Sequence, residues 1–202
     1  HTSKAALLGA LAARLRRRPV SVNTAHNLGF IAMPNPVVKA LFWLYDRTLF
    51  LFFTDAVIVV SQFVEQRVLA ARLIARKKLH VIHNGILDAN VRRREIAMPD
   101  PAGKVKEIIC VARLVWFKGL HTLIDAMPQI VSRHPQARLR IAGDGELENT
   151  LRQQVEKLGM SDHVEFLGLR LDVPELLANA DIFVLPSVSE GLPISILEAM
   201  TT

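Results

Sequence analysis

The chain has 202 residues, half of them hydrophobic, with a formal net charge of +6 and a single cysteine. This length and composition can bury a large core and predict more than one domain, and one cysteine excludes a disulfide framework, which fits a cytoplasmic protein. Because the sequence starts at His1 and stops at Thr202 inside a predicted helix, we expect a fragment that is cut at both ends.

Helices and strands alternate through the first half of the chain. Leucines recur at helical spacing between Leu7 and Leu15, and Pro19 ends that helix. Ser61 is a typical N-cap for a later helix. The predicted elements are a helix over residues 3–17, a strand over 20–24, an apolar helix over 36–53, a strand over 56–60, a helix from Ser61 to Ile74 and a strand over 79–82.

The helix over residues 36–53 is strongly apolar and rich in aromatic side chains. These are Phe42, Trp43, Tyr45, Phe50, Phe52 and Phe53. Asp46 and Arg47 at its centre argue against a transmembrane span. An apolar face beside basic clusters is typical of a helix that lies in a membrane interface, but packing of this helix between the sheet and other helices would explain the pattern equally well.

Basic residues are concentrated in the first half. Residues 1–100 contain 15 Lys and Arg against 6 Asp and Glu, whereas residues 101–202 contain 10 against 13. The clusters are Arg14 with Arg16, Arg17 and Arg18, then Arg76, Lys77 and Lys78, then Arg92, Arg93 and Arg94. Such patches bind anionic lipid or nucleic acid. We favour lipid, since the sequence has no helix-turn-helix, zinc or RNA-recognition signature.

A polar segment with prolines separates two α/β halves. Asn90 to Lys104 contains Pro99, Pro101 and Gly103. This composition predicts a linker, and the strand that follows opens a second unit. We therefore expect a first domain over residues 1–90, a linker over 91–104 and a second domain over 105–202.

The second half repeats the alternation, and each strand leads through a short loop to a helix. The predicted elements are a strand over residues 107–112, a helix over 120–133, a strand over 139–142, a helix that begins near Glu146, and a strand over 182–185 with a helix after it. Gly143-Asp144-Gly145 follows the middle strand and is not a G-x-G-x-x-G fingerprint. A nicotinamide-dinucleotide site therefore has little support.

Two cations flank the loop that follows the strand over residues 107–112. Arg113 begins this loop and Lys118 ends it. A guanidinium and an ammonium in such a loop can converge on a diphosphate. Two ordinary surface charges remain the alternative.

Two glutamates stand eight residues apart near the end of the chain. Glu190 is predicted on a loop and Glu198 on the next helix, with Pro193 in that helix's first turn. Five helical residues advance roughly 7.5 Å. Between the carboxylates, a helix N-terminus favours an anion. The spacing suits a ligand with hydroxyls at both ends and phosphates between them, although a chance pair is the simpler explanation when the spacing is taken alone.

Taken together, these segments resemble the donor-binding half of a family-4 glycosyltransferase with the GT-B fold. The residues that carry the likeness are Val111-Ala112-Arg113-Leu114, Lys118-Gly119, Gly143-Asp144-Gly145, Val164 to Gly168, Pro186-Ser187, Glu190-Gly191-Leu192-Pro193 and Glu198-Ala199-Met200, with looser likeness at Asn23 to His26 and His83 to Ile86. The resemblance implies an α/β protein of two Rossmann-like domains, both incomplete in this chain, with a substrate cleft between them.

The resemblance also implies roles for individual residues. His26 and Glu190 would face the donor sugar, Arg113 and Lys118 would bind the diphosphate, main-chain groups of Gly191, Leu192 and Pro193 would contact sugar and phosphate, Glu198 would bind the ribose, and Gly168, Leu169 and Asp172 would lie near the base. No D-x-D pair follows a strand, so we expect a metal-independent site with no cofactor and a nucleotide-diphosphate sugar as co-substrate.

The expected function is that of a retaining glycosyltransferase in glycolipid or cell-surface polysaccharide synthesis. The expected partners are a nucleotide-sugar donor, a glycan or lipid-linked acceptor and an anionic membrane surface, and the expected location is cytoplasmic or peripheral at the inner face of the membrane. Two alternatives remain. A nucleotide-sugar epimerase of GT-B architecture would need the same diphosphate site, and a non-enzymatic nucleic-acid-binding protein would use the basic half.

Overall fold

The computed structural model describes residues 3–15, 20–28, 33, 35–86 and 107–202. They form two compact units, one of His1–Asn84 with Ser189–Leu192 and one of Gly85–Val188 with Pro193–Thr202. The predicted linker over 91–104 and the arginine clusters at 16–18 and 92–94 lie outside the described residues. The domain boundary at residue 90 therefore stays a prediction.

The first unit contains a parallel sheet whose described strands are β1 (Val22–Ala25), β2 (Ala56–Val59) and β3 (Leu79–Val81), in the order β1-β2-β3. Its helices are α1 (Ser3–Leu15), α2 (Pro36–Thr48) and α3 (Gln62–Ala70). Val57, Val59 and Leu79 lie on one face of the sheet and are buried in the core. Each element predicted for this half is present, with ends that move by a few residues.

Helix α2 begins where the sequence predicts and ends in an unpredicted way. The Asn35 side chain accepts hydrogen bonds from the backbone N–H groups of Val37 and Val38, with Pro36 in the first turn. After Thr48 the helix continues as a π-helical turn, Leu49–Phe53. Together they cover the predicted helix over 36–53.

Helix α3 ends earlier than predicted. Ser61 is its N-cap, as expected, but the helix stops at Ala70 and not at Ile74. Arg72 adopts a left-handed conformation with φ of 52°, and the Leu73 N–H donates to the Val68 carbonyl, which is a Schellman motif. Leu73 and Ile74 continue the apolar pattern because they are buried in the core after this turn.

The second unit contains a parallel sheet in the order β6-β5-β4-β7. Its described elements are β4 (Glu107–Val111), α4 (Leu120–Arg133), β5 (Arg138–Ala142), α5 (Glu148–Lys157), β6 (Val164–Gly168), α6 (Val173–Ala178), β7 (Ile182–Phe183) and α7 (Ile194–Met200). Ile108 and Cys110 pack on one side of β4 with α4 and α5, while Ile109 packs on the other side with α6. Both faces are covered, which explains why these strands are continuous apolar runs.

The two charged residues at the centre of α2 are accommodated differently. Arg47 lies over the Trp43 ring at 5.4 Å and donates a hydrogen bond to the Arg72 carbonyl. Asp46 is partly buried, and this desolvation raises the pKa of its carboxyl group to about 6. Of the helices in the described ranges, none has the length and apolarity that a membrane crossing requires.

Asp46 therefore makes the stability of the protein depend on pH. Its pKa is higher in the folded state than the ordinary value, so the charged form destabilises the fold, and stability present below pH 4 is lost as pH rises towards 6. Relative to wild type, we expect Asp46→Asn to gain about 2 kcal/mol in the free energy of unfolding between pH 4 and pH 7.

Urea unfolding of both proteins at several pH values measures this gain. Asp162→Asn, which changes an exposed aspartate, is the control and should track wild type. A constant difference between Asp46→Asn and wild type across this range would show that the Asp46 carboxyl is not desolvated.

Candidate functional site

The loops that follow the strands of the second sheet meet at one edge, because all four described strands are parallel. We call residues 112–119, 143–147, 169–172 and 184–188 the carboxyl-edge loops. Backbone hydrogen bonds join the first loop to two others: Leu114 N–H to Asp144 O at 2.7 Å and Val188 N–H to Phe117 O at 2.8 Å. Gly143 N–H donates to the carbonyl of Gly168, the last residue of β6, at 2.8 Å. The edge is therefore one connected backbone surface.

Three glycines allow these loops to approach so closely, and all three have positive φ angles. A Cβ atom would lie 2.1 Å from the Pro186 carbonyl oxygen at Gly119, 2.0 Å from the Ala112 oxygen at Gly143 and 2.5 Å from the Leu114 oxygen at Gly145. Gly143 and Gly145 thus do more than complete a tight turn. They and Gly119 hold backbone against backbone at the edge of the sheet.

The strand order places a topological switch point between β4 and β7. The chain runs from β4 to β5 and β6 on one side and then returns to add β7 on the other side of β4. In open parallel sheets, ligands bind outside the carboxyl ends of the strands at this point. The loop after β4 carries Arg113 and Lys118, and the chain after β7 leads to Glu198. Two predicted donor-binding residues, Arg113 and Lys118, are therefore on the loop at the switch point of the second unit, and Glu198 is on the helix that follows β7.

The loop after β4 presents positive charge to this edge. Arg113 is exposed, and Lys118 ends a 3₁₀ turn with its ammonium 5.8 Å from the Phe117 ring centroid. Gly119 is the N-cap of α4 and provides no capping side chain. Burial raises the pKa of the Cys110 thiol to about 12, and the charge of Lys118 acts in the opposite direction. The Lys118 charge is thus felt at the end of β4.

Glu190 lies on a loop and Glu198 on a helix, as the sequence predicts. The prediction that Pro193 lies in the first turn of the helix is wrong by one residue. Its ψ of 131° is extended, so Pro193 is the N-cap of α7, which begins at Ile194. Glu198 is partly buried, and this desolvation raises the pKa of its carboxyl group. Glu198 is therefore four residues into the helix and in a less polar setting than an exposed glutamate.

The segment predicted to lie near the base follows β6. Gly168 has φ of 66°, and the Leu169 side chain is 72% exposed. Arg170 binds both carboxylate oxygens of Asp172, at 2.8 and 2.5 Å, and this hydrogen bonding lowers the pKa of Asp172. The Asp172 carboxylate is thus already paired.

In the first unit, the segment Ser189–Leu192 is held beside His26. His26 is exposed and follows β1, and a Cβ atom at Gly191 would lie 1.9 Å from the His26 carbonyl oxygen. The Asn27 side chain donates to the Ser189 carbonyl at 3.2 Å, and the Asn84 side chain donates to the Leu192 carbonyl at 2.7 Å. This unit therefore brings the segment that carries Glu190 to His26.

Asn27 and Asn84 are positioning residues that the sequence did not single out by role. Each follows a histidine, in the pairs His26-Asn27 and His83-Asn84. The first pair comes directly after β1, and the second comes one residue beyond the end of β3. The repeated pair at two strand ends is the signal that could have identified them. Among the described residues no group of three His, Cys, Asp or Glu side chains could hold a metal ion.

The first unit also has a groove of about 610 Å³. It is lined by the exposed side of the sheet and by α3, with Val22, Ile58, Glu65, Arg76 and His80 among its residues. None of the predicted site residues lines it. From the strand order and the loop contacts, we assign the candidate donor-binding site to the carboxyl edge of the second sheet, where the loop with Arg113 and Lys118 lies.

Comparison with known proteins defines the class of the protein. Residues 91–202 match the family described as "Glycosyl transferases group 1", and residues 1–88 match "Glycosyltransferase Family 4". The structure resembles crystal structures of Anabaena HepE in complex with UDP and glucose and with UDP-glucose, with TM-scores of 0.82 and 0.80, 27% sequence identity, and coverage of 99% of this chain and 55–56% of theirs. The fold is that of the GT-B glycosyltransferases.

The chain belongs to the group 1 glycosyl transferases. It is 30% identical to the UDP-Gal:alpha-D-GlcNAc-diphosphoundecaprenol alpha-1,3-galactosyltransferase of Escherichia coli, over 100% of this chain and 54% of that protein. It is 29% identical to the putative glycosyltransferase EpsD of Bacillus subtilis, over 99% of this chain and 55% of that protein. The chain thus spans about half the length of these relatives.

The close backbone contact at Gly119 predicts a large cost for any side chain there. Gly119→Ala should lower the free energy of unfolding by about 3 kcal/mol, because the methyl group meets the Pro186 carbonyl and the left-handed backbone disfavours alanine. Gly159→Ala is the matched control: Gly159 has φ of 67° and open space around it, so about 1 kcal/mol is expected. Urea unfolding measures both, and equal losses would contradict the contact.

Proposed function

We propose that the whole protein is a retaining glycosyltransferase that moves a sugar from a nucleotide-diphosphate sugar to a glycan or lipid-linked acceptor. The observation that carries this proposal is the switch point of the second unit, where the loop after β4 carries Arg113 and Lys118 and the neighbouring strand β7 leads along the chain to Glu198. Family membership supports transfer, and the E. coli relative is named for transfer from UDP-Gal to a lipid-linked acceptor. The biosynthesis of glycolipids or cell-surface polysaccharides is the expected setting.

The diphosphate is assigned to the cations of the loop after β4. When the glycosidic bond to the nucleotide breaks, negative charge builds on the diphosphate, and prearranged positive groups stabilise it. Arg113 offers a bidentate fork, Lys118 a point charge, and the start of α4 offers backbone N–H groups. These groups can do the work of a divalent cation, so we propose a metal-independent site without a cofactor.

The two glutamates are assigned to different parts of the donor. Glu198 would accept hydrogen bonds from the ribose hydroxyls, and these bonds would favour its ionised form against the desolvation that raises its pKa. Glu190 would accept hydrogen bonds from hydroxyls of the donor sugar, with main-chain groups of Gly191, Leu192 and Pro193 nearby. His26 would donate a hydrogen bond to the same sugar or its phosphate.

The alternatives have less support than transfer. The relatives are named as transferases, and nothing in the comparisons supports an epimerase. The nucleic-acid alternative rests only on the basic first half. Exposed apolar residues lie in that half as well, and they suit lipid better than nucleic acid.

The glutamate assignments predict different losses for different ligands. By calorimetry, Glu190→Gln should weaken the intact nucleotide sugar roughly 10- to 100-fold and leave the free nucleoside diphosphate almost unchanged, whereas Glu198→Gln should weaken both. Ser132→Ala, on the exposed surface of α4, is the control. Equal losses of both ligands in both variants would refute the two roles.

We also propose that the first unit binds an anionic membrane surface. Val37, Leu41 and Leu44 recur along α2 at helical spacing and are 66, 61 and 53% exposed. Of the aromatic residues, Phe42 and Phe52 are exposed, Phe50 is buried, and Trp43, Tyr45 and Phe53 pack against the core. The exposed face is therefore mainly aliphatic, with an exposed Lys39 beside it.

The membrane proposal predicts binding that depends on lipid charge and salt. Co-sedimentation with anionic vesicles at low salt should fall roughly 100-fold in Arg16/Arg17/Arg18→Glu, at about 1 kcal/mol per basic residue. Leu41→Gln/Leu44→Gln should also reduce it at unchanged net charge. The control is Leu171→Gln, at a 96% exposed leucine in the less basic half. Equal recovery on neutral vesicles would assign α2 to ordinary surface.

A further inference from the structure

One hydroxyl group at the switch point has no hydrogen-bond partner. Among the described residues, two buried side-chain oxygens are unpaired: Ser187 Oγ and Glu107 Oε2. Buried polar groups are nearly always paired, because water no longer satisfies them. Glu107 lies at the amino end of β4, where its N–H binds Asp181. Ser187 lies at the opposite edge, in the loop after β7.

The backbone on both sides of Ser187 is fixed. The preceding carbonyl, that of Pro186, lies against Gly119, and the following N–H, that of Val188, donates to the Phe117 carbonyl at 2.8 Å. Both anchors belong to the segment that immediately precedes α4. The position of Ser187 relative to the start of α4 is therefore set, and only its side chain is free to rotate.

The surroundings of Ser187 favour an anion. The loop that carries Ser187 packs against the turn that ends at Lys118. Arg113 begins the loop that contains this turn, and α4 begins directly after Gly119. A helix N-terminus and two cations give this edge a positive potential. A hydroxyl group in this position can donate a hydrogen bond to a negatively charged oxygen. Such a hydrogen bond is stronger than one between two neutral groups.

We propose that Ser187 is a further donor-binding residue, whose hydroxyl donates a hydrogen bond to a phosphate oxygen of the nucleotide diphosphate. The residue as a whole is only partly buried, and in this proposal rotation about the Cα–Cβ bond to another staggered position brings the hydroxyl to the ligand. This rotation breaks no existing hydrogen bond, because the hydroxyl has none to lose. The inference rests on the proposed function, since it needs a diphosphate at this edge.

The proposal predicts that stability and binding respond in opposite directions. In Ser187→Ala the unpaired buried hydroxyl is removed, so the Tm of the free protein should equal or exceed that of wild type. The Kd for whichever of UDP, GDP or ADP the wild type binds should rise roughly 10- to 150-fold. Ser187→Thr keeps the hydroxyl and should bind within a few fold of wild type. Glu107→Gln, at the other unpaired oxygen, should bind as wild type.

Calorimetry and thermal unfolding of these variants distinguish the outcomes. If wild type binds none of the three nucleotides, the proposed function and the role of Ser187 both fail. If wild type binds and Ser187→Ala binds equally well, only the role of Ser187 fails. A variant that loses both Tm and affinity would assign Ser187 to the fold and overturn the proposal as well.

Discussion

The second unit depends on backbone contact between loops at the carboxyl edge of its sheet. Parallel strands bring loop ends together, but carbonyl oxygens within 2.5 Å of a would-be Cβ position require that no Cβ be present. Gly119, Gly143 and Gly145 meet that requirement. Because of them, the loop after β4 is joined to the loops after β5 and β7 by main-chain contacts. Such an edge loses little conformational entropy when a ligand binds, because its backbone is ordered beforehand.

A prearranged edge of this kind leaves some polar groups in unfavourable states. The Glu198 carboxyl is desolvated, and the Ser187 hydroxyl is buried without a partner. Both lie on the chain that follows β7, Ser187 in the loop directly after it and Glu198 in α7. In the free protein each costs stability, and a ligand with hydroxyls and phosphate oxygens would supply what each lacks. Sites that bind tightly are commonly built in this way, with stability given up for function.

Much of this arrangement could be predicted from the sequence, and the reasons differ by residue. Apolar runs such as residues 107–112 and 139–142 identified buried strands because both faces of the sheet are covered, and α4 was predicted with its observed ends. The confirmed family followed from motifs at strand ends. The end of α3 was missed because Leu73 and Ile74 continue a helical pattern while the left-handed Arg72 redirects the chain. The contacts of Asn27 and Asn84 were also missed, because their partners lie 108 or more positions away in the chain. The role proposed for Ser187 was missed because it depends on the absence of a hydrogen-bond partner.

Net charge is a poor guide to where a diphosphate binds in this protein. Residues 101–202 contain 13 acidic against 10 basic residues, yet they carry the proposed anion site, while the basic first half does not. At physiological salt, exposed charges more than about 8 Å apart are largely screened. The electrostatic potential at the binding edge is then decided by the few charges within that distance of it. Arg170 is already engaged by Asp172, and Arg152 by Glu148, so these cations and carboxylates neutralise each other locally. Arg113 and Lys118 lie on a loop that the glycines hold in place beside the start of α4, so their charges contribute positive potential at this edge even in an acidic unit.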